Sequence, residues 1–158
     1  MVVDSIVVVP WDFSEHSQSA LDFALKQYLP QNIRVICVLE RPSPYAAQML
    51  WGDDAEQTAC KKCAEQFFEV VDKSKYPGLE FVAEFGDPAA VIVRFAKQLE
   101  AGVIVISTHG RTGIQRLMLG SVAQKVSQTA ACPVMLLPNA WFEAEKKRMS
   151  GGVSAASS

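Results

Sequence analysis

Residues 107–122 read Ser-Thr-His-Gly-Arg-Thr-Gly-Ile-Gln-Arg-Leu-Met-Leu-Gly-Ser-Val, placing glycines, hydroxyls, an imidazole and two arginines in one stretch. The apolar run Val103-Ile104-Val105-Ile106 precedes it, and Val122-Ala123-Gln124-Lys125-Val126, with the spacing of an apolar helix face, follows. A strand that stops, a glycine-punctuated loop and a helix opening at Gly120-Ser121 together make a site for an anion. Backbone N–H groups converge on phosphate oxygens in such loops, glycine permits close approach, and the helix N-terminus adds a favourable dipole. Arg111 and Arg116 fit solvated loop charges equally well, though Arg111 stands where a phosphate would reward a cation. A base–nucleophile reading of His109 and Thr108 is disfavoured. Neighbours in a loop rarely point at one another, and no carboxylate is placed to orient the imidazole. A loop-bracing or phosphate-side role is expected of His109. His16, early in a helix, is expected on the surface.

The elements that must position this loop follow from periodicity. Five short β-branched runs, Ile6–Val9, Val35–Leu39, Leu79–Phe85, Val103–Ser107 and Val134–Leu137, alternate with four helical patterns. Most of the runs are continuously apolar, as parallel strands covered on both faces must be. The third, Leu79-Glu80-Phe81-Val82-Ala83-Glu84-Phe85, is mixed and reads as an edge strand. Ser14 is a suitable N-cap for a helix carrying Leu21, Ala24, Leu25 and Tyr28, and Pro30 helps to end it. Asp87 and Pro88 form the cap and first position of a helix with Val91, Phe95 and Leu99 on its apolar face. The alternation predicts an α/β fold: an open, doubly wound, five-stranded parallel sheet with right-handed crossovers. Residues 41–54 read as a long loop. The domain is expected over 1–138, with 139–158 a C-terminal extension whose charged part has helical character and whose end, from Gly151, is small, polar and disordered.

Composition excludes several function classes. The 158 residues are 49% hydrophobic and 20% charged with a net charge of −2, so no global field recruits nucleic acid or an acidic membrane surface. No apolar run approaches the ~18 residues that span a bilayer, and the segment from Met1 to Ser5 lacks a basic leader, so a cytoplasmic protein is expected. Cys37, Cys60, Cys63 and Cys132 do not form a disulfide framework. The Cys60-x-x-Cys63 pair sits inside a helical pattern with no further ligands nearby, so core packing by Cys63 is the expectation.

In such sheets ligands bind beyond the carboxyl ends of the strands, where strand order reverses. With the order 3-2-1-4-5 the first and fourth strands are neighbours, and the loop after Val9-Pro10-Trp11-Asp12 faces the loop after Ile106 and Ser107. Asp12 is placed either to accept hydrogen bonds from a ribose or to cap the next helix, a task Ser14 can also do. Neither a Walker-type loop, nor a dinucleotide fingerprint after the first strand, nor a hydrolase nucleophile elbow is present.

Val9-Pro10-Trp11-Asp12-Phe13-Ser14, Gly86-Asp87-Pro88, the loop from Ser107 to Ser121 and Cys132-Pro133-Val134 fall in the order seen in the universal stress protein family, which the chain resembles over roughly residues 4 to 138. The fold so implied belongs to the adenine nucleotide alpha hydrolase-like group. The signature of the nucleotide-binding branch is G-x2-G-x9-G-[ST]; here Gly110, nine residues, Gly120 and Ser121 match its end, and Ser107 replaces the first glycine. The resemblance implies that Gly110, Arg111, Gly120, Ser121 and Val122 surround the phosphates, with backbone amides and the Ser121 hydroxyl as donors; Ile106, Ser107 and His109 are also expected among the nucleotide-binding residues. Asp12 would hold the ribose, and Pro10 and Val38 would border the adenine. ATP (or ADP or AMP) with Mg2+ or Mn2+ bound through the phosphates is the implied ligand, and a homodimer paired through Pro133–Leu137 the implied assembly. Ser107 keeps its N–H, but a positive φ there would be costly. Trp11 either stacks on the adenine or fills its pocket.

Three functions follow as expectations. The first is a nucleotide-dependent stress-response regulator with at most slow hydrolysis; the second is a dimeric interaction protein with an occluded site. A phosphoryl-transfer enzyme ranks last, because no activated nucleophile is evident.

Overall fold

The computed structural model describes residues 4–51, 54–109 and 119–154. Five strands, β1 (Val7–Trp11), β2 (Ile33–Leu39), β3 (Glu80–Phe85), β4 (Val103–Ser107) and β5 (Val134–Leu137), form one sheet in the order β3-β2-β1-β4-β5. Every pairing is parallel, with Val9 opposite Val35, Val8 opposite Ile104 and Ile106 opposite Leu136. The expected order 3-2-1-4-5 is the observed one. β3 lies at an edge, as its mixed pattern requires, with Glu80 exposed.

The helices are α1 (Glu15–Gln27), α2 (Pro44–Trp51), α3 (Ala55–Val70), α4 (Pro88–Gln98), α5 (Ser121–Thr129) and α6 (Asn139–Ser154). Successive strand residues point to opposite faces, and the sheet accordingly feeds two cores. Val7, Val9, Trp11, Val35 and Cys37 pack with Leu21 and Ala24 of α1 and with Cys63 and Phe67 of α3. Val8, Ile36, Ile104 and Ile106 pack with Ile92 and Phe95 of α4 and Val126 of α5.

Two segments differ from expectation. Residues 44–51, read as part of a loop, form the helix α2. Ser43 accepts from the N–H of Ala46 at 3.3 Å and Pro44 occupies the first position, a start signal that the neighbouring prolines disguise. Tyr45 and Met49, one turn apart, stay 74% and 69% exposed. The second is α6, which runs through Gly151 to Ser154 where disorder was expected. Propagating a formed helix adds one hydrogen bond per residue ordered, which offsets glycine's poor propensity in the last turn. Residues 155–158 lie outside the described residues.

Local chemistry fixes the helix ends. Ser14 caps α1 by accepting from Ser17 N at 3.1 Å, and Asp87 caps α4 by accepting from Ala90 N at 3.1 Å. α4 ends in a Schellman turn in which Ala101 N donates to Ala96 O at 2.9 Å and Glu100, at φ 49°, takes the left-handed position. A side chain in that conformation costs about 1–2 kcal/mol, more than the roughly 0.4–1 kcal/mol by which glycine favours the unfolded chain. Glu100→Gly is therefore expected to raise stability by about 0.5–1 kcal/mol, read as a higher urea midpoint at unchanged slope. An unchanged or lower midpoint would contradict the left-handed assignment.

Candidate functional site

The crevice lies where strand order reverses, between β1, which leads to β2 on one side, and β4, its neighbour on the other. β1 ends at Trp11 and β4 at Ser107, so the loops after both strands open at the same edge of the sheet.

At the end of β1 the chain turns sharply through Phe13, whose φ of 62° is one of two positive values at non-glycine residues among those described. Asp12 precedes this turn. Its Oδ1 accepts from Ser14 N at 3.0 Å and from the Ser14 hydroxyl, while Ser14 itself caps α1. Of the two roles foreseen for Asp12, direct capping thus belongs to Ser14, and Asp12 braces the capping residue. The carboxylate is held at the mouth of the crevice.

Trp11 points away from Pro10 and Val38. Its ring lies in the α1–α3 core, edge-on to Phe67 at 5.0 Å and to Phe13 at 5.7 Å, with 4% exposure. Val38 packs against the other core, that of α4 and α5. The indole Nε1 is buried with no hydrogen-bond partner among the described residues, a state that costs about 1–3 kcal/mol.

At the end of β4 a closed neck forms. Thr108 N donates to Leu137 O at 3.1 Å, and Gly120 N donates to Thr108 O at 2.7 Å, which draws the two ends of the loop together. A Cβ on Gly120 would meet Thr108 O at 2.9 Å, so only glycine fits this approach. Its N–H thereby serves the neck, and α5 opens directly behind it with Ser121 exposed and Val122 half-buried. Gly120 has no side chain to cap the helix, and the first-turn amides are aligned for an anion. Ser107 is not among the residues with positive φ; its hydroxyl donates to His109 O at 2.8 Å, so serine is accommodated here without backbone strain. Gly110 and Arg111 lie outside the described residues.

Thr108 and His109 do face one another, against expectation: Thr108 Oγ1 is 2.9 Å from His109 Nδ1. The two bonds that fix the Thr108 backbone in the neck hold its side chain, 9% exposed, beside the ring. His16, expected on the surface, is half-buried instead. Its Nε2 lies 3.0 Å from Asn139 Oδ1, its ring 4.2 Å from that of Phe142 and 5.9 Å from that of His109. Asn139 and Phe142 carry no local signal for this contact, because their partner is more than a hundred residues earlier in the chain.

Among the described residues no group of three His, Cys, Asp or Glu side chains is arranged to hold a metal ion, and no helix is long and apolar enough to cross a membrane. Cys63 is buried in the core, and a hydrogen bond with Cys37 lowers its thiol pKa against the opposing effect of burial. Burial raises the Cys60 thiol, with the charges of Cys63, Glu56 and Glu84 adding to it. A thiol shifted upward is a poor nucleophile at neutral pH.

A profile of the universal stress protein family matches residues 5–138. The chain is 48% identical over 139 residues to universal stress protein MJ0531 of Methanocaldococcus jannaschii, covering 83% of this chain and 80% of that one. The universal stress protein UspA from Lactobacillus plantarum has the same fold at a TM-score of 0.66 and 24% identity, over 87% of this chain and 99% of that one. So does a universal stress protein in complex with cAMP (TM-score 0.54, 19% identity, 85% and 97% coverage). A third is the Archaeoglobus fulgidus protein in complex with dAMP (TM-score 0.53, 23% identity, 85% and 98% coverage). Together with the sheet order and the loop at its switch point, these matches establish that the chain belongs to the universal stress protein family.

Proposed function

We propose that this protein binds an adenine nucleotide, ATP first among them, in the crevice between β1 and β4 and acts as a nucleotide-dependent stress-response regulator. One observation carries the reading: the neck from Thr108 to Gly120 delivers the start of α5 to the crevice edge that Asp12 occupies. The amides of Ser121 and Val122, the Ser121 hydroxyl and the Arg111 guanidinium would hold the phosphates, with His109 alongside. Asp12 would take the ribose, and Pro10, Val38 and Ile106 would border the base. A divalent cation would be held through the phosphate oxygens, whose charge it offsets. Gly120 supports the reading: a Cβ there would strike the Thr108 carbonyl, so glycine lets the neck close and bring the first-turn amides of α5 to the crevice. Two proteins of the same fold were solved with adenine nucleotides, cAMP and dAMP, which supports this choice of base. The burial of Trp11 against Phe67, away from Pro10 and Val38, favours an open site over an occluded one.

The homodimer belongs to the same proposal. β5 is an edge strand whose Val134 and Leu136 are half-buried and whose Met135 is 36% exposed, an apolar edge that pairing would cover.

Calorimetric titration with ATP and magnesium tests the reading, together with mass spectrometry of small molecules released on denaturation. Saturable heat or a released adenine nucleotide is expected. Absence of both overturns it.

A further inference from the structure

We propose that α6, which lies beyond the residues matched to the family, is part of the candidate site: Asn139 and Phe142 fix His16, and His16 positions His109 beside the phosphates. The inference rests on the nucleotide reading of that site and adds residues that the family resemblance does not reach.

Topology places α6 there. It follows β5 after Pro138, with Trp141 N donating to Pro138 O at 3.0 Å, and β5 is bound to the loop neck through Leu137 O and Thr108 N at 3.1 Å. The first turn of α6 therefore lands beside Thr108 and His109. Asn139 Oδ1 can only accept, so the 3.0 Å contact makes His16 Nε2 a donor and fixes the ring's rotation. Phe142, 7% exposed, closes one side of that ring at 4.2 Å with a 33° tilt. The His109 ring lies 5.9 Å away at 36°, and its Nδ1 is 2.9 Å from the Thr108 hydroxyl. His109 is thus held by a hydroxyl at one ring nitrogen and by a second imidazole at its side.

The seat of α6 is apolar rather than ionic. Lys146–Glu15 at 3.2 Å and Lys26–Glu145 at 3.8 Å join α6 to α1, but exposed pairs of this kind contribute little. Burial of Phe142 and the edge-on contact of Trp141 with Phe23 at 5.6 Å hold the helix in place. An imidazole that donates to a phosphoryl oxygen gains more when its rotamer is already fixed, since ordering it on binding costs affinity.

Titrations of wild type, Asn139→Leu and Asn139→Asp with ATP and with adenosine test this. Asn139→Leu leaves no acceptor for His16, whereas Asn139→Asp retains one. ATP affinity is expected to fall about 3- to 10-fold in Asn139→Leu, the loss of one hydrogen-bonded constraint, with adenosine affinity unchanged and ATP affinity restored by Asn139→Asp. Unchanged ATP affinity in Asn139→Leu overturns the inference. So does an equal loss for ATP and adenosine, which would mark a general structural effect, or a failure of Asn139→Asp to restore. Phe142→Leu gives the same selective loss and serves if Asn139→Leu does not fold. If wild type binds neither ligand, the nucleotide reading itself fails and the inference with it; if wild type binds both and the variants bind equally well, the inference alone fails.

Discussion

Phe67→Ala is expected to destabilise the protein by about 3–5 kcal/mol and to lower its melting temperature by roughly 10 °C. Phe67 is fully buried on α3 and touches three other rings. It stacks on Phe81 of β3 at 4.4 Å and 18°, meets Trp11 of β1 edge-on at 5.0 Å and Phe68 at 5.0 Å. Alanine would forfeit the transfer free energy of the ring and leave a cavity bounded by strands that cannot close on it, since their spacing is fixed by backbone hydrogen bonds. The adjacent Phe68, half-buried at the rim of the same cluster, should cost much less when truncated. The comparison separates packing from helix propensity, which is the same for both substitutions. Thermal unfolding of the two variants measures it, and near-equal losses would mean that Phe67 is not the centre of this core. Because Trp11 directly precedes Asp12, a loosened Phe67 should also reach the crevice, as a red shift in Trp11 emission.

How much of this was legible in the sequence depends on the range of the interaction. The central strands were, because helices cover both faces of a parallel sheet and the strands between them are apolar throughout, and β3 showed its edge position by its mixed pattern; so were Ser14 and Asp87-Pro88, whose bonds close within three residues. The side to which Trp11 turns was legible too, through strand alternation: it shares parity with Val7 and Val9, and Pro10 and Asp12 do not. α2 was not legible from periodicity, since its large apolar residues Tyr45 and Met49 face solvent. The contact of His16 with Asn139 was out of reach for a different reason. It exists only after β5 has carried the chain to the sheet's far side and α6 has folded back over α1, which no local pattern encodes.

Gly120→Val is expected to weaken ATP binding by more than about 10-fold while costing only about 1–3 kcal/mol of stability, the usual range for an overpacked site. The backbone at Gly120, with φ −58° and ψ 149°, is ordinary for any residue, so conformational freedom does not explain the glycine. Close approach does: the neck bond from Gly120 N to Thr108 O is 2.7 Å, and a Cβ would sit 2.9 Å from that carbonyl. A carbonyl fixed to β5 through its own residue's N–H cannot swing aside as a flexible side chain would, so the start of α5 must move. A shift of a few tenths of an ångström is small for the fold but large for amides that must converge on phosphate oxygens, whose hydrogen bonds weaken steeply with misalignment. Ser121→Ala should lose only about 1 kcal/mol of binding, one hydroxyl bond without displacement of the helix. Gly120→Ala should fall between the two, because its single methyl meets the same carbonyl with less bulk behind it. The order Ser121→Ala, Gly120→Ala, Gly120→Val in ATP dissociation constant, against a much narrower spread in urea midpoint, is the result that ties the neck to binding. Were Gly120→Val to bind ATP as wild type does, the phosphates would have to lie elsewhere than at the start of α5.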